Sequence, residues 1–310
     1  MERTIADVLG TWSVARWEQI PAGSEWLLDG LSPPWNATVQ ARVDRRSGTI
    51  FLLTASVTVP TTPAPVTAIR TVTLELRRMS AEPAAALTAG GSVRFGAAGD
   101  VRTDPECAHP DSAVAPLVLV PPGTHVDLWG PGADSRVAYD SVAADPATYA
   151  QPAGLDLAQL VAMAAADFPA GASVAPQPSA ESGSCRIAQD HWGEPRRETL
   201  DMVEECAERY PIISAAGDLR IDGGRGQGIL YVPGRLQIVG PFEFSGVIIA
   251  SGGVETSGGE VFLSGAVFTG PGTGVLASSE TVFERSSCAL SAAAAAAAWI
   301  TPIPMRAWGR

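Results

Sequence analysis

Apolar and polar residues alternate along the chain in two distinct ways, and both predict short strands. From Trp35 to Arg78 the alternation is that of half-buried antiparallel strands. Val39, Ala41 and Val43 fall on one side, Arg45-Arg46-Ser47-Gly48 makes a turn, and Thr49 to Val59 climbs through Ile50-Phe51-Leu52-Leu53 to a proline-rich loop at 60–65. A third strand, Ile69 to Arg77, sets Val72, Leu74 and Leu76 against Thr71, Thr73 and Glu75. The expectation is a small β-meander preceded by a segment that bears Trp12, Trp17, Trp26 and Trp35. Trp17 and Trp26 offer either a sugar-stacking surface or cover for the sheet; the commoner arrangement, core cover, is expected.

The second pattern is a repeat. Glycines stand at 228, 234, 240, 246, 252 and 258, six apart, with Gly217, Gly223, Gly265 and Gly270 extending the beat. The second and fourth positions after each glycine are apolar or small: Leu230 and Val232, Leu236 and Ile238, Phe242 and Phe244, Ile248 and Ala250, Val254 and Thr256. Alternate side chains of a strand share one face, and glycine lets the chain turn where other residues resist. Gly228, Gly234, Gly240, Gly246, Gly252 and Gly258 are therefore read as corners, and three short strands as one coil of about eighteen residues. The predicted fold class is mainly β: a C-terminal parallel β-helix (β-solenoid), a small N-terminal antiparallel meander and an inserted helix-containing region. Such strands bury their inner faces only by stacking, with the ends capped.

Outward positions add a further expectation. Ile229 and Tyr231 recur as Val247 and Ile249, and then, after a one-residue slip near Gly259, as Ala266 and Phe268. One flank of the solenoid is thus apolar on both surfaces, and a bare strip of this kind is a liability. Ile229, Tyr231, Val247 and Ile249 are expected to be covered, by the meander or by a helix predicted at Asp156 to Phe168. Residues 90–103 look like one more strand-turn-strand unit of the same kind. Between them and the repeat lies an irregular insertion at about 104–210, with a strand candidate at 117–120, a Pro/Ala/Ser-rich linker from Ala170 to Ser184 and a second short helix near Arg197 to Tyr210. The alanine run 292–298, with Trp299 and Trp308, suits a cap on the open end at about 285–310. The domain bounds expected are 1–88 and 89–310.

Composition fits this reading. The chain has 310 residues, 46% apolar, 17% charged, with 32 glycines and 25 prolines, which favours strands and turns. A net charge of −12 without a basic block disfavours nucleic acid as a partner. No apolar run reaches the ~20 residues of a membrane span. The opening Ile5 to Trp12 reads like the end of a helix whose beginning lies upstream of Met1.

Candidate chemistry is sparse. His109, His125 and His191 form no metal-ligand spacing with one another or with the cysteines, so no metal and no cofactor is expected. No histidine follows Tyr210, which disfavours the hexapeptide acyltransferases. Asp218, Asp222, Glu243, Glu255 and Glu260 allow an acidic groove of the kind that cleaves polysaccharides, but single carboxylates on the face of an acidic protein need no such role. No catalytic residue is assigned. The even cysteine count is compatible with disulfides in an oxidising compartment. Cys185 and Cys206 flank the segment leading into the repeat and are expected to pair. Cys107 with Cys288 follows by elimination, free buried thiols being the alternative.

The strings Tyr210-Pro211-Ile212-Ile213, Gly217-Asp218-Leu219, Gly224-Arg225-Gly226-Gln227-Gly228-Ile229-Leu230, Ser286-Ser287-Cys288-Ala289-Leu290 and Arg306-Ala307-Trp308 resemble the C-terminal region of PilX-like pilus-assembly and pilin-like proteins of bacteria. The resemblance runs from Cys185 onward and includes His191-Trp192-Gly193-Glu194-Pro195. It implies a non-enzymatic, extracytoplasmic protein of the cell surface or periplasm, with the β-helix as rigid spacer or display surface. Its partners would be other pilus or surface-filament proteins, with glycans a further candidate, and membrane contact only through an anchor upstream of this chain. Bactofilin-like polymers also use short glycine-punctuated β-helices, so a polymerising scaffold is an alternative, as is a carbohydrate-binding or carbohydrate-cleaving β-helix.

Overall fold

A computed structural model describes residues 5, 16–17, 19–28, 37–77, 83–107, 116–128, 136–181, 183–195 and 203–303. The chain forms two units, one of residues 1–78 with 298–310 and one of residues 79–297. The expected split at 88/89 is thereby corrected. The stretch expected as a cap at about 285–310 is not one element: Ser287–Ala296 is a helix of the second unit, whereas Trp299–Pro302 is a strand of the first, antiparallel to its neighbour with Ile300 opposite Leu76. Trp299 opens that strand, and Trp308, Trp12 and Trp35 lie outside the described residues.

The first unit is an antiparallel sheet of β1 (Glu25–Leu28), β2 (Thr38–Arg45), β3 (Ile50–Val59), β4 (Val66–Arg77) and the strand Trp299–Pro302, in that order. Its alternation does what the sequence predicts, because Ala41, Val43, Phe51, Leu53, Leu74 and Leu76 all point to one buried face. Trp17 and Ile20 close that face, the indole edge-on to Phe51 at 5.4 Å between centroids. Trp17 is fully buried and Trp26 half-buried against the same cluster, so Trp17 offers no surface for a sugar.

The second unit is a parallel β-solenoid with three faces. Gly224–Val232 is a single strand bent at Gly228, so its two halves serve the first and second faces, and Leu236–Val239 serves the third. The next coil repeats this with Phe242–Ala250, bent at Gly246, and Val254–Ser257; the third uses Val261–Pro271, bent at Gly265, and Val275–Ala277. Gly228 pairs with Gly246 and Gly246 with Gly265, a step of eighteen residues and then nineteen. Leu230, Val232, Leu236, Ile238, Phe242, Phe244, Ile248, Ala250 and Val254 fill the interior, and Thr256 is buried with them.

The order of coils along the axis is not the order of the sequence. Beyond the coil at 261–277 the chain continues to Thr281–Arg285 on the first face, and there Leu87–Gly90 takes over on the second face, Val93–Phe95 on the third and Asp100–Thr103 on the first. Val118–Val120, Val126–Asp127 and Val137–Tyr139 stack further out. At the opposite end Ala166–Phe168 and Ala172–Val174 stack on Ile212–Ala215 and Leu219–Ile221. The expected irregular insertion at 104–210 therefore supplies coils at both ends. Only part of the segment predicted as linker is irregular, since it holds Ala172–Val174 and a small hairpin of Ala180–Glu181 with Ser184–Cys185.

Between Tyr139 and Ala166 the chain must travel from one end of the stack to the other. It does so in helical turns, including α1 (Pro146–Ala150) and α2 (Leu157–Met163). Asp156 caps α2 by accepting from Ala158 and Gln159 N–H at 3.0 and 3.1 Å. The helix predicted to reach Phe168 stops at Met163, because Phe168 belongs in the solenoid core as a strand residue. The second predicted helix reduces, among the described residues, to a single turn at Glu204–Cys206.

Candidate functional site

The apolar flank is sealed. On the outer side of the second face Ile229 and Val247 are wholly buried, Ile249 nearly so, and Tyr231 is partly covered. Their cover comes from Leu155 and Leu160 of the crossover and from Leu290, Ala293 and Ala297 in and just after α3 (Ser287–Ala296). Alanine suits this surface, since small side chains let a helix lie close on a flat sheet. The alanine run is thus a flank cover rather than an end cap.

The corner glycines divide by cause. Gly228, Gly240, Gly246 and Gly258 have φ of +118°, +89°, +138° and +73°, the region that favours glycine. Gly234 and Gly252 do not, and stand where a Cβ would strike the coil beneath, at Asp218 and at Gly234 respectively.

Two disulfides staple the solenoid. Cys107–Cys288 spans 181 residues with Cα atoms 5.5 Å apart, and Cys185–Cys206 spans 21 with Cα atoms 4.7 Å apart. Both expected pairs are formed and no cysteine is free. The first sits where the solenoid path passes from residue 285 to residue 87. There Ser286 caps α3 through its Oγ, which accepts from Ala289 N–H at 3.4 Å and donates to Asp104 at 2.8 Å. The buried Arg285 guanidinium donates to Pro83 O.

The second disulfide holds the loop that completes the first face at the other end. Instead of one strand, three separate carbonyls pair with the edge of Gly224–Val232: Pro176 O, Trp192 O and Pro211 O accept from Arg225, Gln227 and Ile229 N–H at 2.8, 2.9 and 3.0 Å. Gln227 Nε2 donates to the carbonyls of Cys206, Ala207 and Arg209 at 3.1, 3.0 and 2.9 Å. Glu194, buried, takes Arg225 Nε at 3.1 Å and Val203 N–H at 3.2 Å. Trp192 fills the core edge-on to Phe168. Sequence reasoning missed Arg285, Gln227, Arg225 and Glu194 as structural residues; the one signal was Arg225 and Gln227 standing as large polar side chains between three glycines.

Between the two stapled segments the first face carries a groove of about 520 Å³. Glu243, Phe262 and Glu284 come from three successive coils, with Arg102 from the next, Asp104 from the staple and Tyr210 from the loop. Glu284 is held by Arg102 Nε at 2.8 Å, and the same guanidinium lies 5.4 Å from the Phe262 ring centroid. Phe262 is 7% exposed, so it presents no open ring face. The other carboxylates considered from sequence are dispersed. Asp218 accepts from Arg235 N–H at 2.8 Å, Glu255 pairs with Arg235 at 3.5 Å, and Glu260 is exposed. The Asp222 carboxyl is held below its ordinary range by hydrogen bonds from Ser173 and Arg220, the latter at 2.6 Å. Among the described residues no three His, Cys, Asp or Glu side chains converge on a metal position, and no helix is long and apolar enough to cross a membrane.

No family model, curated protein or solved structure matches the chain. The likeness to pilus proteins therefore rests on the residues quoted above.

Proposed function

We propose that the chain is a non-enzymatic structural component of an extracytoplasmic assembly, a pilus or secretion-filament-associated protein whose solenoid is a rigid spacer that displays its outer faces to partner proteins. The carrying observation is that the solenoid is built closed: side chains fill its interior, helices seal its apolar flank, and two disulfides staple its seam and its loop-covered end. Such cross-links belong to the periplasm or the cell exterior, which speaks against a bactofilin-like cytoplasmic scaffold. Stacked coils transmit force through backbone ladders along the whole axis, a suitable property for a spacer.

The carbohydrate reading has the acidic groove in its favour, but the ring that would stack on a sugar is occupied by Arg102. Mechanical shearing of native cells separates the two. Recovery of the chain in the sheared filament fraction, cross-linked to filament proteins, is the expected result. Turnover of a polysaccharide that disappears in Glu243→Gln, or recovery only from cytoplasm, overturns the proposal.

A further inference from the structure

On the third face of the solenoid each coil sends one side chain outwards beside those that point in. Along the axis this row runs Arg220, Gln237, Glu255, Leu276, Arg94 and Asp127, each opposite the next in register. Neighbours in it are one strand spacing apart, about 4.8 Å. Every member is exposed or partly exposed, and Leu276 is 53% exposed. The row has one apolar member, with opposite charges on its two sides: Glu255 a coil before it and Arg94 a coil after.

We infer that a second copy of the chain packs on this face with its solenoid axis reversed, about a two-fold axis that runs along the strand of Leu276. Leu276 then meets Leu276 of the other copy. Glu255 and Arg94 of each copy face Arg94 and Glu255 of the other, and a coil further out Gln237 faces Asp127. The carboxamide oxygen of Gln237 accepts from Arg220 Nη1 at 3.3 Å, which leaves its NH2 to donate to that carboxylate. Sheets stacked face to face keep their strand directions within about 30° of one another, as this axis requires. The neighbouring arrangements are repulsive. An axis one coil to either side sets Glu255 against Glu255 or Arg94 against Arg94, and an axis along the solenoid does both. Within the chain Glu255 meets Arg235 at 3.5 Å, an exposed pair that costs little to loosen. A strip of one side chain per coil is narrow, so the dimer belongs with the small, weak interfaces. This pairing uses the third face alone and is independent of the function proposed above.

Sedimentation velocity of the full chain, from about 1 to about 300 μM, tests it. The wild type is expected to dimerise across that range, and less so in high salt, which screens the charge pairs. Arg94→Glu sets carboxylate against carboxylate, Glu255→Arg sets guanidinium against guanidinium, and each should weaken the dimer roughly tenfold or more. Mixed in equal amounts, the two variants should form a heterodimer, because every like pair becomes an unlike one; its formation also shows that both variants are folded. No native cysteine is free, so Leu276→Cys supplies a single thiol, and a bis-maleimide spanning about 10 Å should join it to its own copy. Arg220→Cys should not be joined, since three coils from the axis it stands about 29 Å from its counterpart. A wild type that stays monomeric to about 300 μM, a dimer indifferent to Arg94→Glu, or variants that fail to combine while the wild type dimerises, overturns the inference.

Discussion

The guanidinium of Arg285 donates to the carbonyl of Pro83 from Nε at 3.3 Å and Nη2 at 3.2 Å, across 202 residues of sequence. Arg285 ends the last first-face strand of the C-terminal run, and Pro83 leads into Leu87, which opens the next second-face strand. Asp104 N–H donates to Arg285 O at 2.9 Å across the same junction. The side chain therefore joins two remote segments into one continuous helical path.

Replacing Arg285 by methionine keeps its apolar stem but leaves the buried Pro83 carbonyl without this donor. A charged hydrogen bond lost from a buried acceptor costs about 2–3 kcal/mol. Urea unfolding at neutral pH measures it. Arg285→Lys should recover only part of the loss, because an ammonium cannot reproduce the planar fork.

The two disulfides should differ in worth. In the chain-entropy account the 181-residue closure contributes about 5 kcal/mol and the 21-residue closure about 3 kcal/mol. Guanidinium midpoints of Cys107→Ser/Cys288→Ser and Cys185→Ser/Cys206→Ser should fall in that order. Equal losses would mean that the unfolded chain retains contacts across the seam.

Legibility followed the geometry. From Gly217 to Gly270 the corners were readable, because a coil that turns sharply at fixed intervals can use little but glycine there, and the interior was readable because strand alternation has only two phases. Leu117–Val120 showed as a strand but not as a coil of the solenoid, since its partners, Leu87–Gly90 and Val137–Tyr139, are short and lack the beat. Nothing local announces that Leu87 stacks on Val267. That pairing depends on the path of α2 and α3 over the flank and on Arg285, all long-range. The groove is half visible in the sequence: Glu243 stands on an outer strand, and Glu284 belongs to the coil that follows in sequence order, but Arg102 and Asp104 reach the groove only through the non-sequential stacking.

Alkaline pH should weaken the solenoid unit. Tyr149 donates its hydroxyl to Ala143 O at 2.5 Å, and burial pushes its pKa from 10.0 to about 12; burial raises Tyr231 as well. The folded state holds these protons more tightly than the unfolded chain does. For Tyr149 the stabilisation is complete below about pH 10 and is lost as pH rises from there towards 12, and Tyr231 acts in the same direction. Tyr149→Phe should lower stability at pH 8 by losing a hydrogen bond, yet flatten the decline above pH 10. Urea midpoints across that range give both slopes.

The covered flank gives a contrast between two positions that point outward from the solenoid. Ile249 is 3% exposed beneath the helical cover, whereas Leu276, outward on the third face, is 53% exposed. Ile249→Ala should cost about 3 kcal/mol, and Leu276→Ala less than about 0.5 kcal/mol. A small effect at Ile249 in thermal or chemical unfolding would mean that α2 and α3 stand away from the sheet in solution.

Gly246 tests the central idea that glycine permits the stack as well as the bend. It lies between Gly228 and Gly265 in register, with φ +138°, and a Cβ there would strike the Gly228 carbonyl. Gly272 has φ +71° and open space around it. Gly272→Ala therefore meets only the dihedral penalty, about 1 kcal/mol, while Gly246→Ala adds a clash that forces two coils apart and should exceed about 3 kcal/mol. Melting temperatures of the two variants separate the contributions. If they fall equally, backbone dihedrals alone set the need for glycine, and the tight approach of coil on coil contributes nothing to it.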